Sequence, residues 1–385
     1  MYYMIDLRGK TVVFGDLHLG IKSDSLSRLF IDVHFIEYLL NYIKKNNIDN
    51  IIFLGDWFNS REFINTITLS VGFELVSLLA KSVKNLVFIL GNHDLESNSY
   101  QNVSSVIGYD SIPNIHLVKE PTQGIVNGQL SLFVPWGFSD VNENVRHKFK
   151  YIFGHFSLPG TYIRYNKINV NNLDAIKDAN LQSNDVRAFC EYLDEGGICF
   201  SGHIHVRSEQ SFHQNRVIFI GSPFEMSYGE TNSAHGFYVL GRDDLRFVET
   251  NCDKIPRHII LKISSCFNED GKLRDVSDFR FLSGNIVKKI LDKDLSSSES
   301  MKLNEILNSL NIFEFAQAEY GALSSVIVEG SQTQQTEQAT LTIDSYFDTV
   351  IQAIDEETLR NANVTKNELK ECFLSYVKRL IDQNG

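Results

Sequence analysis

The sequence predicts a mixed α/β fold. Two sheets pack face to face with helices outside, a four-layer α/β/β/α sandwich, and a small α+β cap and a C-terminal helix pair follow. Short runs rich in Val, Ile and Phe at residues 11–14, 50–54, 86–90, 130–134, 151–153 and 198–200, bounded by Gly, Asp or Asn, read as buried strands. Leu29, Val33, Ile36, Leu39, Leu40 and Ile43 form an apolar stripe at helical spacing after the first run, and Ile67, Val71, Leu75, Leu78 and Leu79 form another after the second. Strand, helix, strand, helix is the order of an α/β layer. Runs at 217–220, 236–240 and 245–249 come with short turns and no helix between them, which predicts an antiparallel second sheet.

The pattern changes near Pro256. Strands are expected at 259–263 and 286–291 and a helix at 298–310, giving a small cap over 256–328 after a core over 1–255. Residues 329–340 (EGSQTQQTEQAT) are polar and lack an apolar anchor, so they read as a flexible linker. In the last segment, 341–385, Leu341, Ile343, Phe347, Val350, Ile351 and Ile354 share one helical face. Leu369, Cys372, Phe373, Tyr376, Val377 and Leu380 share a second, and Thr365 with Glu368 makes a capping box before it. Two tethered helices cannot bury two wide apolar faces on each other alone. A docking module that completes its core on a partner is one reading, and packing back on the parent domain is the other.

The chain of 385 residues has a formal net charge of -12, with its 11 His counted as neutral. That excludes a protein that wraps nucleic acid by bulk positive charge, so any DNA contact must be local. The five cysteines, Cys190, Cys199, Cys252, Cys266 and Cys372, are scattered and never in Cys-x-x-Cys spacing, as expected of reduced, structural thiols. No run approaches membrane-spanning length and no basic, apolar leader opens the sequence. A soluble protein of a cytoplasmic compartment, without membrane contact, is expected.

The chemistry lies in a series of strand-end motifs: Asp16-Leu-His18, Gly55-Asp56, Gly91-Asn92-His93-Asp94, Gly154-His155 and Gly202-His203-Ile-His205. Each follows an apolar run, so successive strands deliver carboxylate, imidazole and amide donors to one edge. Seven such donors, Asp16, His18, Asp56, Asn92, His155, His203 and His205, suffice for two adjacent divalent cations, an arrangement suited to in-line cleavage of phosphate esters. The donor set is oxygen and nitrogen without thiolate, which fits Mn, Fe, Mg or Zn and excludes a soft-metal site. A lone His on an apolar run is more often a core residue. Five motifs in order favour ligation.

These motifs resemble those of the calcineurin-like metallophosphoesterase superfamily. The DLHLG form of the first is similar to the DNA-repair nuclease branch that holds SbcD, the Mre-eleven nuclease and the recombination endonuclease subunits of T-even-like phages. The order of core, cap, linker and helix pair extends the likeness to the phage subunits. The resemblance implies that Asp16, His18 and His205 hold a first ion and Asn92, His155 and His203 a second, with Asp56 bridging. It further implies that His93 is the acid near the leaving oxygen and that Asp94 supports its imidazole, although Asp94 as a simple cap remains open. Two divalent ions, Mn first and Mg next, are the implied cofactors.

DNA, a second copy of the chain, and an SbcC-like coiled-coil ATPase gripping residues 341–385 are the implied partners, in the host cytoplasm for a viral protein. Asn59 departs from the family pattern, because many relatives place His or Asp three residues after the bridging carboxylate. Arg61, Tyr162, Arg164, Tyr165 and Lys167 are candidate DNA contacts, by reach in the first case and by interleaved aromatics and cations in the rest; an ordinary solvated loop is the alternative. Lys288 and Lys289 read as a solvated face. The expected function is a Mn-dependent DNA nuclease subunit. A phosphodiesterase or phosphatase for smaller substrates, and a scaffold without activity, are the competing readings.

Overall fold

A computed structural model of the chain describes residues 4–96, 103–141, 147–158, 185–231 and 233–320. The linker and helix pair expected at 329–385 lie outside the described residues.

Four strands, β2 (Thr11–Phe14), β3 (Asn50–Phe53), β4 (Asn85–Ile89) and β5 (Ile115–Val118), run parallel in one sheet. Helices α1 (Leu26–Asn46) and α2 (Thr66–Ser82) make the crossovers that parallel pairing demands. Asn65 caps α2 by accepting from the amide of Ile67. The second sheet holds β1 (Ile5–Leu7), β6 (Thr122–Val126), β7 (Gln129–Val134), β8 (Phe149–Gly154), β9 (Leu193–Ser201), β10 (Ser208–Phe212) and β11 (Asn215–Phe219). Its strand order is β1-β6-β7-β8-β9-β11-β10.

Alternation along each strand explains why both sheets read as continuous apolar runs. In β2, Val12 and Phe14 face the helices while Val13 faces the other sheet; in β3, Ile51 and Phe53 oppose Ile52; in β4, Leu86 and Phe88 oppose Val87 and Ile89. The second sheet repeats the pattern, with Phe153, Phe200 and Ile218 inward and Ile152, Cys199 and Val217 outward. Both faces of each sheet are therefore buried. Helix α3 (Val186–Cys190) contributes Phe189 and Cys190 to the outer core.

The runs at 236–240 and 245–249 pair antiparallel as expected, but the three late runs do not share one sheet. β11 pairs parallel with β9. β12 (Gly236–Leu240) and β13 (Leu245–Glu249) instead leave for the first sheet, where β12 lies antiparallel to β2 and gives the order β13-β12-β2-β3-β4-β5. The physical reason lies in β12 itself: Phe237 and Val239 join the helix-side core while Tyr238 and Leu240 join the inter-sheet core, so this run needs cover on both faces. The site beside β2 supplies it.

A third sheet follows, made of β14 (His258–Lys262), β15 (Ile286–Leu291) and β16 (Glu314–Tyr320), all parallel. Helix α4 (Ser297–Ser309) opens on a complete capping box of Ser296 and Glu299 and buries Leu303 and Leu307 in a separate small core with Leu261, Phe279 and Val287. Polar contacts tie this layer to the sandwich. Arg28 of α1 donates to Glu314 Oε1 at 3.1 Å and to His258 Nε2 at 3.4 Å, and Glu225 accepts the His258 amide.

Candidate metal centre

The C-terminal ends of β2, β3, β4, β8 and β9 meet along one edge of the two sheets, the place where open α/β sheets bind ligands. The first two loops continue as a parallel pair beyond their strands. The amide of Asp16 donates to the Gly55 carbonyl at 2.9 Å, and those of Leu17 and His18 to the Asp56 carbonyl at 3.0 Å each. Asp16, His18, Asp56 and His203 all adopt positive φ, at 54°, 51°, 62° and 77°, a strained conformation retained where side chains must converge. Glycine is required where these turns touch. A Cβ on Gly91 would lie 2.2 Å from Asp56 Oδ1, and one on Gly55, at φ +99°, would lie 2.6 Å from the Gly91 Cα.

The seven donors singled out by sequence stand together. One group comprises Asp16, His18 and His205, another Asp56, His155 and His203, and a third His18, Asp56 and His93; within each group the ligand atoms lie within 4.8 Å of one another. Asp56 Oδ2 sits between, 3.4 Å from His18 Nε2 and 3.3 Å from His155 Nε2. Asn92 Oδ1 is 3.0 Å from both His155 Nε2 and His203 Nδ1. His18 and His205 aim their Nε2 atoms at each other across 3.1 Å. Asp16 spends Oδ1 on the His203 amide at 2.8 Å, while its buried Oδ2 has no hydrogen-bond partner among the described residues. Facing imidazole nitrogens and an unpartnered buried carboxylate oxygen are costly by themselves, and divalent cations would satisfy both. The residues fit two ions.

Burial dominates the electrostatics. It pushes the Asp16 carboxyl up to about 6, and it holds the His18 and His203 imidazoles down at about 3, leaving them neutral with lone pairs available. Burial opposes ionisation of Asp56 as well, but His155, by charge and hydrogen bond, followed by His18, outweighs it and draws the carboxyl below its usual range. His155 shows the reciprocal effect, raised to about 9 by Asp56 against its own burial. Its Nδ1 meets the Leu54 carbonyl at 2.7 Å, which directs Nε2 at Asp56 and Asn92.

Among the described residues the Asp94 carboxylate makes no hydrogen bond to the His93 ring. Oδ2 accepts from the amides of Asp56 and Gly91 at 2.8 Å each, and Oδ1 from Trp57 at 2.9 Å, so Asp94 clamps the β3 and β4 loops together. The group that orients His93 is the main-chain carbonyl of Asn59, 2.6 Å from Nδ1. That leaves Nε2 as the other nitrogen of a half-buried ring set edge-on against His18 at 4.7 Å. Because a carbonyl does this work, the side-chain departure at Asn59 leaves it intact.

Two further residues belong to the centre and escaped the sequence reading. Glu230 Oε1 lies 3.3 Å from His205 Nδ1. Trp136 packs its ring 4.9 Å from that of His203 and 5.8 Å from that of His155. Trp136 carried a usable signal, since it follows the β7 run as the other site residues follow theirs. Glu230 carried none, because it sits in a polar turn far from any motif. Arg61 is exposed after β3, and Lys288 and Lys289 hold their ammonium groups 5.2 Å from the Tyr228 and Phe315 rings respectively. Tyr162, Arg164, Tyr165 and Lys167 lie outside the described residues.

A solved Escherichia coli phosphoesterase, Yfce, matches 62% of this chain and 92% of its own at 13% identity, with a TM-score of 0.33. Exonuclease subunit 1 of Enterobacteria phage T4 is 27% identical over 312 residues, spanning 79% of this chain and 83% of the phage protein. The model of the calcineurin-like phosphoesterase family matches residues 9–207, more than half of the chain and the whole donor series from Asp16 to His205, and the chain belongs to that family.

Proposed function

We propose that the protein is a metal-dependent DNA nuclease subunit, cleaving phosphodiesters at a centre of two divalent ions, Mn first. The similarity to the phage exonuclease subunit carries this reading, because it extends over most of both chains and far beyond the residues of the phosphoesterase match. Asp16, His18 and His205 would hold one ion and Asn92, His155 and His203 the other, with Asp56 between them. When bound, the ions supply Lewis acidity and activation of the attacking water.

The remaining work falls to the chain itself. His93, with Nδ1–H held on the Asn59 carbonyl, presents Nε2 to the leaving sugar oxygen and passes it a proton. The Asp94 clamp keeps Asp56 and Asn92 in register. Trp136 screens the His155 and His203 rings on one side.

The organisation that accompanies this function is a core over 1–255, a DNA-recognition cap over 256–328, a linker over 329–340 and a helical module over 341–385 that docks on an SbcC-like coiled-coil ATPase. Arg61, Tyr162, Arg164, Tyr165 and Lys167 would meet DNA. A homodimer would form through α1 and α2, on which Phe30, Ile67, Leu69, Phe73 and Leu78 are exposed. Among the described residues no helix is long and apolar enough to cross a membrane.

The deciding experiment incubates the pure chain with Mn and, separately, linear duplex DNA or p-nitrophenyl phosphate esters. Metal-dependent DNA cleavage, lost with chelator, is expected. Turnover of the small esters without any DNA cleavage would overturn the nuclease reading in favour of a small-substrate phosphoesterase.

A further inference from the structure

We propose that Glu230 is a positioning residue for the metal centre: it fixes the tautomer and ring orientation of His205 and thereby sets the affinity of the Asp16–His18–His205 site for its ion. The inference rests on the assignment of His205 as a ligand. It adds a residue beyond the end of the family match at 207.

Glu230 is 2% exposed, an unusual place for a carboxylate, and four donors surround it. Oε1 lies 3.3 Å from His205 Nδ1 and accepts from Ser227 Oγ at 3.0 Å; Oε2 accepts from the Met226 amide at 2.8 Å and from Ser222 Oγ at 3.4 Å. Three of these contacts fix where the carboxylate sits. The fourth is the only one that reaches a metal-type side chain. His205 is itself 28% exposed at its side chain, so packing alone does not lock the ring. An acceptor at Nδ1 forces the proton onto that nitrogen and leaves the Nε2 lone pair pointing at His18 Nε2, 3.1 Å away.

Of the three imidazoles with ligand geometry at Nε2, His155 is oriented by the Leu54 carbonyl and His205 by a carboxylate. A carboxylate also makes the imidazole more basic, and loss of such a partner typically weakens metal binding by about 10- to 100-fold.

Mn titration of the metal-free full-length chain, followed by the electron paramagnetic resonance signal of free Mn, separates the possibilities. The wild-type chain is expected to bind two ions. In Glu230→Gln one of the two sites should weaken by about 10- to 100-fold and the other stay within about 2-fold, while Glu269→Gln, which removes an exposed carboxylate outside the centre, should leave both sites as in the wild type. Unchanged binding by Glu230→Gln, or equal loss at both sites, overturns the positioning role and leaves the proposed function standing. A wild-type chain that binds no Mn overturns both. Should the variant fail to fold, histidine-selective ¹⁵N spectra of the Zn-loaded wild-type chain decide the matter: a proton on His205 Nδ1 is required, and a proton on Nε2 refutes the assignment.

Discussion

At the scale of single residues, the site separates groups that do chemistry from groups that hold them. The proposed acid, His93, is of the first kind, and because its ring is half-buried its removal opens no core. His93→Ala should cut the metal-dependent cleavage rate by about 100- to 10,000-fold with Mn binding nearly unchanged. Asp94 belongs to the second. Asp94→Ala strands three buried amides at about 1–3 kcal/mol each, so calorimetry should show a large fall in Tm that His93→Ala does not produce. Equal melting of the two variants would return Asp94 to the role of a side-chain partner of His93.

Asp32 of α1 gives a prediction with a definite pH sign. It is buried, its Oδ2 has no hydrogen-bond partner among the described residues, and burial pushes its carboxyl well above 3.8, against the pull of Arg28. A raised carboxyl in the fold means that the folded chain holds its proton more tightly than the unfolded chain. Its contribution is therefore complete below the unfolded value, about pH 4, and is lost as pH rises toward the folded value. Asp32→Asn should stabilise the protein by about 1–3 kcal/mol near pH 7, with the difference vanishing near about pH 4. A destabilised variant at neutral pH would show that the charge is satisfied.

At the scale of elements, α1 and α2 have two faces with different duties. One buries Phe35, Ile36, Leu39, Leu75, Val76 and Leu79 on the parallel sheet; Ile36, Leu39, Leu75 and Leu79 belong to the stripes read from the sequence, whereas Ile67 and Leu78 of the second stripe are exposed. The opposite surface leaves Phe30 and Phe73 about half exposed, at 46% and 50%. Phe73→Glu should turn a dimer of the full chain into a monomer in sedimentation measurements while Tm stays within a few degrees. A wild-type monomer at micromolar concentration would remove this face from consideration. Strand positions were legible wherever both faces are buried, as in β2, β3 and β4. The weak alternation of β1, β6, β10 and β16, each with a polar or half-exposed face, hid them.

For the whole molecule, the third sheet is fastened to the sandwich by Arg28, Glu225, His258 and Glu314, side chains separated by up to 286 positions. This junction shares the segment after β11 with Glu230, so the metal edge and the added sheet draw on one stretch of chain. The proposed ATPase docking concerns residues 341–385, outside the described residues. A chain ending at residue 340 should lose the partner in pull-down and retain basal Mn-dependent DNA cleavage; an undiminished complex would refute docking through 341–385.

The sequence by itself determined the donor types, their order and their attachment to strand ends, because each motif spans only a few residues and depends on local periodicity. Tertiary structure alone decided the rest. It sent β12 and β13 to the first sheet, set the Asp94 carboxylate against three amides, and placed His93 Nδ1 on the carbonyl of Asn59. It also brought Glu230 to His205 across 25 positions. Such contacts join groups distant in sequence, and some are made by main-chain atoms that every residue possesses, so side-chain identity carries no trace of them until the chain has folded.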